Sequence, residues 1–234
     1  MWSGSTAVAI MGDQQMALPA VLQRALEKAI GIQQAPVAAY VARLRRARPD
    51  ATPDEIITVL EKQYLAAVTG AGAAVGGAAA APAVGTVLAL ALSGGELALF
   101  FEATALFALA VAEVHGIRVA EIERRETLVL AIVLGDSGAL LVEKMVGRRS
   151  QHWGELLPDA IPLSSITAIN KTLGRWFVRK YAPKQGFLAL GRLAPFGIGA
   201  AIGAVGNRGF GRTVVNTSQR VFGPPPTSFP DSVR

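Results

Sequence analysis

The chain has 234 residues, 51% hydrophobic and 17% charged, with a mean hydropathy of +0.39 and no cysteine. A charged fraction below the roughly 25% of soluble domains leans it toward membrane contact, and the missing cysteine excludes disulfides, thiolate zinc centres and cysteine nucleophiles. The net charge of +6 is lopsided: residues 1–143 hold 10 Lys/Arg against 14 Asp/Glu, residues 144–234 hold 13 against 3, so the C-terminal third suits an anionic partner.

Residues 1–17 read as an irregular leader without the basic and apolar regions of a secretory signal, which makes a cytoplasmic origin the expectation. "ALPAVLQRALEKAIG" has helical apolar spacing and a stop at Gly31, and "PVAAYVARLRRARPD" is a second short helix broken by Pro49. These two helices and the leader make an N-terminal unit, 1–50. In "TPDEIITVLEKQYLAAVT", Thr52 is the N-cap, Pro53 suits the first turn and Glu55 completes a capping box.

That helix runs straight into "GAGAAVG", Gly70 to Gly76, and a near copy, "GIGAAIG", spans Gly197 to Gly203. A dinucleotide-binding turn needs a buried strand before its first glycine, whereas here a capped helix precedes it. The chain also lacks the Val/Ile-rich strands that alternate with helices in a parallel sheet. The spacing instead puts Gly72 with Gly76, and Gly199 with Gly203, on one helix face, where a second backbone could approach closely. Gly70 joins them as a candidate packing glycine.

From Leu65 through Gly95 there is no charged residue, a run of 31, against about 20 for a spanning helix. Pro82 predicts a break near Ala81 and a second helix over 83–92. "GGELALFFEATALFALAVAEVHG" follows, then an apolar block of about 17 residues around Asp136 bounded by basic pairs, by the usual counting of such segments. The last apolar block, "GFLALGRLAPFGIGAAIGAVGN", is interrupted by Arg192 and Pro195. Residues 223–234, "GPPPTSFPDSVR", read as a proline-rich disordered tail.

"RLAPFGIGAAIGAVGN", Arg192 to Asn207, followed by "TVVNTSQRVFG", resembles the C-terminal signature of the EcsC family: a Pro, spaced Gly-Ala pairs, an Asn and a final helix. Upstream, the segment from "AVTGAGAAVGG" to "AVAEVHG" resembles that family's Gly-rich turn, acidic residue, long apolar helix and closing Gly. Glu96 stands where the family tends to have an acid, and His115-Gly116 where it tends to have an aromatic and a Gly. The resemblance covers roughly residues 55–222, and its motifs are compositional. It implies a mostly helical, membrane-associated bacterial protein linked to an ABC transport or secretion system, and it carries over no catalytic residue.

Three sets of residues could carry chemistry. Glu96, Glu102, Glu113 and Asp136 lie in apolar stretches, and buried carboxylates need partners. Glu102 and Glu113 are three helical turns apart and share a face. Converging, the four would make a metal or acid/base cluster; separate, they would pair with Arg118, Arg124, Arg125 or Arg192. In "SSITAINKTLGRWFVRKYAPK", Ile166, Ile169, Leu173, Trp176, Phe177 and Tyr181 form an apolar stripe. Lys171, Arg175 and Arg179 recur at every fourth position, with Lys180 and Lys184 nearby, a pattern suited to anionic lipid headgroups. The alternative is a solvated basic face over a core stripe. Ser137 in "GDSG" is a third candidate, without an identifiable histidine partner.

The expectation is therefore an all-α bundle with Gly/Ala-packed hairpins, its EcsC-like domain over 51–222. No catalytic residue, metal or cofactor is assigned. The expected role is a non-enzymatic accessory or scaffold protein on the cytoplasmic face of a bacterial inner membrane, with anionic lipids and a membrane protein as partners and no nucleic acid. Basic residues beside the apolar blocks, among them Lys62, Arg118, Arg124, Arg125, Arg148, Arg149, Arg208 and Arg212, would mark cytoplasmic edges. A soluble lipid carrier and an enzyme built on the carboxylate cluster are the competing readings.

Overall fold

The computed structural model describes residues 20–78, 85–147, 152–181 and 198–230. These are 80% helical with no strand among them, so the chain is all-α. The helices are α1 (Ala20–Ile30), α2 (Gln34–Ala47), α3 (Pro53–Ala78), α4 (Gly85–Val114), α5 (Ile122–Leu134), α6 (Asp136–Val146), α7 (Leu163–Tyr181) and α8 (Ile198–Phe222), with a 3-10 turn at Trp153–Leu156.

Helix α3 starts as its capping box dictates. The Thr52 amide donates to Glu55 Oε2 at 2.8 Å and the Glu55 amide donates to Thr52 Oγ1 at 3.3 Å. The helix then continues through "GAGAAVG" to Ala78, so that heptad is helical backbone fed by a helix. Helix α4 is one continuous element of 30 residues. The separate helix expected over 83–92 is thus its first turns. Gly94 and Gly95 lie within this helix and do not interrupt it.

Three helices form the axis of the bundle. Tyr64 of α3 stacks on Phe107 of α4 at 4.8 Å and shares a 2.9 Å hydrogen bond with Thr104, while Val68 lies level with Glu96 through Asn207. Helices α3 and α4 are therefore antiparallel. Asn207 of α8 meets Val68 and Gln219 meets Glu61, so α8 is also antiparallel to α3 and runs alongside α4.

Helices α1 and α2 close one side. Ala25, Ala29, Val37, Val41 and Leu44 belong to the same core as Phe101, Leu109 and Leu130. Helices α5 and α7 close the other, with Phe177 against Phe101 at 5.5 Å. Between them Asn170 donates to the Glu123 carbonyl at 2.8 Å and to Glu126 Oε2 at 3.2 Å, and Thr127 donates to Asn170 Oδ1 at 2.5 Å.

The apolar block around Asp136 divides at Gly135, whose φ of +73° ends α5. A Cβ on Gly138 would fall on the Ala131 carbonyl and within 2.7 Å of Leu134. The "GDSG" glycines thus serve a tight helix–helix elbow, and Ser137 is exposed on it.

The tail is ordered as far as Pro230, contrary to the expected disorder: Phe229 packs on the core and carries the Arg45 guanidinium 4.0 Å above its ring. Residues 231–234 and the leader lie outside the described residues.

Candidate functional site

The four carboxylates do not converge. Glu96 is 5% exposed and accepts from Asn207 Nδ2 at 2.8 Å. Glu102 pairs with Lys28 of α1 at 2.8 Å, Glu113 accepts from Gln34 of α2 at 2.8 Å, and Asp136 pairs with Arg220 of α8 at 3.1 Å. Glu102 and Glu113 do share a face, and its purpose is to hold the α1–α2 hairpin. No group of three potential ligands that could hold a metal exists among the described residues. Of the anticipated arginines, Arg192 lies outside the described residues, and Arg124 and Arg125 bond elsewhere. Arg124 is buried, donating to the Leu157 and Ile161 carbonyls. Arg125 donates to the Ala120 and Ile30 carbonyls.

Asn207 also donates to the Val68 carbonyl at 3.0 Å, so one amide clamps α3, α4 and α8 at one level. Beyond the clamp, α3 has ten residues to Ala78, α4 eleven back to Gly85 and α8 nine back to Ile198, each reaching about 15 Å at 1.5 Å per residue. None of these residues is charged, and no charge occurs over 65–95 or 193–207. The fold brings both Gly-rich segments to one pole of the bundle.

Apolar surface around this pole is open. Val205 is 72% and Leu99 56% exposed, and Ala66, Ala67, Gly70 and Ala74 are exposed beside them on α3. A Cβ on Gly70, Gly95, Gly206 or Gly209 would meet nothing within 4 Å. The close approach expected at Gly70 is made instead at Gly211, whose Cβ would lie 2.9 Å from Leu65 and 3.0 Å from Val68. Gly72 is buried; Gly76, Gly199 and Gly203 are on helical backbone, and their packing lies outside the described residues. Lys62, Arg208 and Arg212 are exposed at the base of the pole.

Helix α7 buries Ile166, Ile169, Leu173 and Phe177 completely, as its spacing predicts. Trp176 leaves that stripe and stands 41% exposed beside Lys171, Arg175 and Arg179, for which no ion-pair partner occurs among the described residues. Lys180 does not join them, since it donates to the Leu134 carbonyl at 2.7 Å and caps α5. Lys184 lies outside the described residues. The Phe177–Phe101 contact sets the end of α7 about five residues of α4 below Glu96, roughly 8 Å from the clamp.

At the opposite pole, sequence reasoning missed a cleft of about 340 Å³ between the starts of α3 and the ends of α4 and α8. His115 and His152, the two histidines of the chain, both line it. The His115 ring stacks on Phe222 at 5.5 Å, thus acting as an aromatic, and Gly116 with φ +74° ends α4. Burial, helped by His152, pushes the His115 pKa down to about 4. His152 Nδ1 lies 3.3 Å from the Arg220 carbonyl, and its ring occupies the space a Cβ on Gly223 would need. The signal for Asn207 was present: an amide in an uncharged helical run needs a buried partner.

No family model, curated protein or solved structure matches this chain.

Proposed function

We propose that the protein is a non-enzymatic membrane-surface component that inserts its uncharged pole into one leaflet of an anionic membrane. The observation that carries this reading is the convergence of three charge-free helix ends above the Asn207 clamp. Their reach of about 15 Å matches half of the roughly 30 Å hydrocarbon core. No described helix is long and apolar enough to cross a membrane, which suits partial insertion.

Two further features support it. Helical glycine in water costs about 1 kcal/mol against alanine, and among the described residues nothing lies within 4 Å of where a Cβ would stand on Gly70, Gly95, Gly206 or Gly209, at and around this end. Lipid or a membrane protein against smooth faces would repay them. Around the pole, Arg208, Arg212 and the α7 cations with Trp176 sit where headgroups would be, each cation contributing about 1 kcal/mol near an anionic surface. The EcsC resemblance adds the role of accessory or scaffold beside a transport system.

Sedimentation of the full chain with vesicles tests this. Vesicles of phosphatidylcholine with 30 mol% phosphatidylglycerol, a composition on the order used for anionic surfaces, are expected to carry the protein down. Val205→Glu with Leu99→Glu, both at exposed positions, is expected to leave it in solution. Retention of wild-type protein in the supernatant, or binding unaffected by the two glutamates, contradicts the reading.

A further inference from the structure

We propose that the cleft at the pole opposite the membrane end binds a small amphipathic cation: an amine carried on an apolar or aromatic body. Its lining carries negative charge. Asp54 and Glu61 of α3 contribute carboxylates, and no Lys or Arg is among the residues that line it, in a chain of net charge +6. Glu61 has the neutral Gln219 amide as its hydrogen-bond partner at 3.0 Å, which leaves its charge uncompensated.

Ser218 points independently to a ligand. It lines the cleft, is 1% exposed, and its hydroxyl has no hydrogen-bond partner among the described residues. A buried hydroxyl without a partner costs free energy, and an ammonium N–H donating to Ser218 Oγ would remove that cost. Ammonium brings three donors, one of which can serve Ser218 Oγ while Asp54 and Glu61, two helical turns apart on α3, supply negative charge along the cleft. His115 remains uncharged at neutral pH because burial holds its pKa near 4, so it does not repel a cation.

The remaining walls fit the body of such a ligand. Ile57, Phe107, Val111 and Phe222 supply apolar and aromatic surface, and ring faces attract cations. Pro224 and Pro225 form a lip that the chain holds in place through the left-handed Gly223 and the Phe229–Arg45 contact. The volume of about 340 Å³ is at the small end of ligand clefts. A membrane-bound protein with this cleft at its far pole would present it to the aqueous phase.

Calorimetric titration and amide-resolved NMR of the full chain with 2-phenylethylamine test the proposal, with 2-phenylethanol as the uncharged match. Saturable one-to-one binding of the amine is expected, at least tenfold tighter than the alcohol by the loss of its charged contacts. Shifts should centre on Ser218, Gln219 and Gly223. Asp54→Asn with Glu61→Gln changes two side chains that are not buried and should weaken the amine at least tenfold while the melting temperature stays within a few degrees. Equal binding of amine and alcohol overturns the proposal. So do unsaturable binding, shifts centred elsewhere, and affinity unchanged in the double variant.

Discussion

Asn207 donates through one nitrogen to Glu96 at 2.8 Å and to the Val68 carbonyl at 3.0 Å, joining α8 to α4 and α3 at a single level. Replacing it with leucine leaves a buried carboxylate without this donor and a carbonyl without its second bond. The expected cost of Asn207→Leu is about 2–4 kcal/mol, or roughly 5–15 °C in melting temperature for a chain of this size. Asn216→Leu, on the exposed face of α8, should change stability by about 0.5 kcal/mol or less. Paired denaturant titrations compare the two.

Glycines along α8 should separate by what surrounds them. Gly211→Leu must displace Leu65 and Val68 and is expected to cost about 2–3 kcal/mol. Gly206→Ala and Gly209→Ala enter open space and should each stabilise the protein in buffer by up to about 1 kcal/mol. Thermal melts without lipid decide this.

Glu126 is buried, and that burial together with nearby Glu123 raises its pKa from 4.5 to about 7, against the lowering effect of its Asn170 hydrogen bond. The folded state therefore holds a proton that the unfolded chain releases between pH 4.5 and 7. Its stabilisation is present below that window and is lost as pH rises through it. Glu126→Gln keeps an acceptor for Asn170 and removes the titration. The variant should match wild type near pH 4 and exceed it at pH 8 by about 2–3 kcal/mol, as read by denaturant midpoints.

His115 acts with the opposite sign. Its folded pKa of about 4 lies below the usual 6.5, so the unfolded chain takes up a proton first and stability falls as pH drops from 6.5 to 4. Solvent screening of the partly exposed ring limits the loss to about 1–2 kcal/mol. His115→Phe retains the stack on Phe222 and should flatten the acid side of the stability profile.

Charge reversal tests the membrane surface. Arg208→Glu with Arg212→Glu, and separately Lys171→Glu with Arg175→Glu and Arg179→Glu, should each lower partition onto anionic vesicles at least tenfold, since each cation is worth about 1 kcal/mol there. Circular dichroism should be unchanged, because all five side chains are exposed.

Much of the fold was legible in residue order. The capping box at Thr52 and Glu55, the buried stripe of α7 and the helical course of the first Gly heptad all follow from local rules of spacing and capping. Local rules also misled at defined places. The helix expected to end at Leu92 runs on without interruption to Val114, and Trp176 leaves the stripe its spacing assigns it to. The proline tail looked free because its anchor, Arg45 over Phe229, is 184 residues away in sequence.

The candidate sites divide in the same way. Lack of charge over 65–95 and 193–207, the basic C-terminal third and the repeating cations of α7 are properties of the sequence alone, since composition and periodicity need no knowledge of neighbours. Only the tertiary structure decided the rest. Antiparallel packing of α3 against α4 and α8 puts the two uncharged segments at one pole. The docking of α1 and α2 on α4 and of α6 on α8 gives Glu96, Glu102, Glu113 and Asp136 four different partners. The segment before the 3-10 turn brings His152 to the cleft that His115 lines. Such pairings depend on which distant helix faces meet, and that is fixed by burial of the whole core, a quantity no single segment encodes.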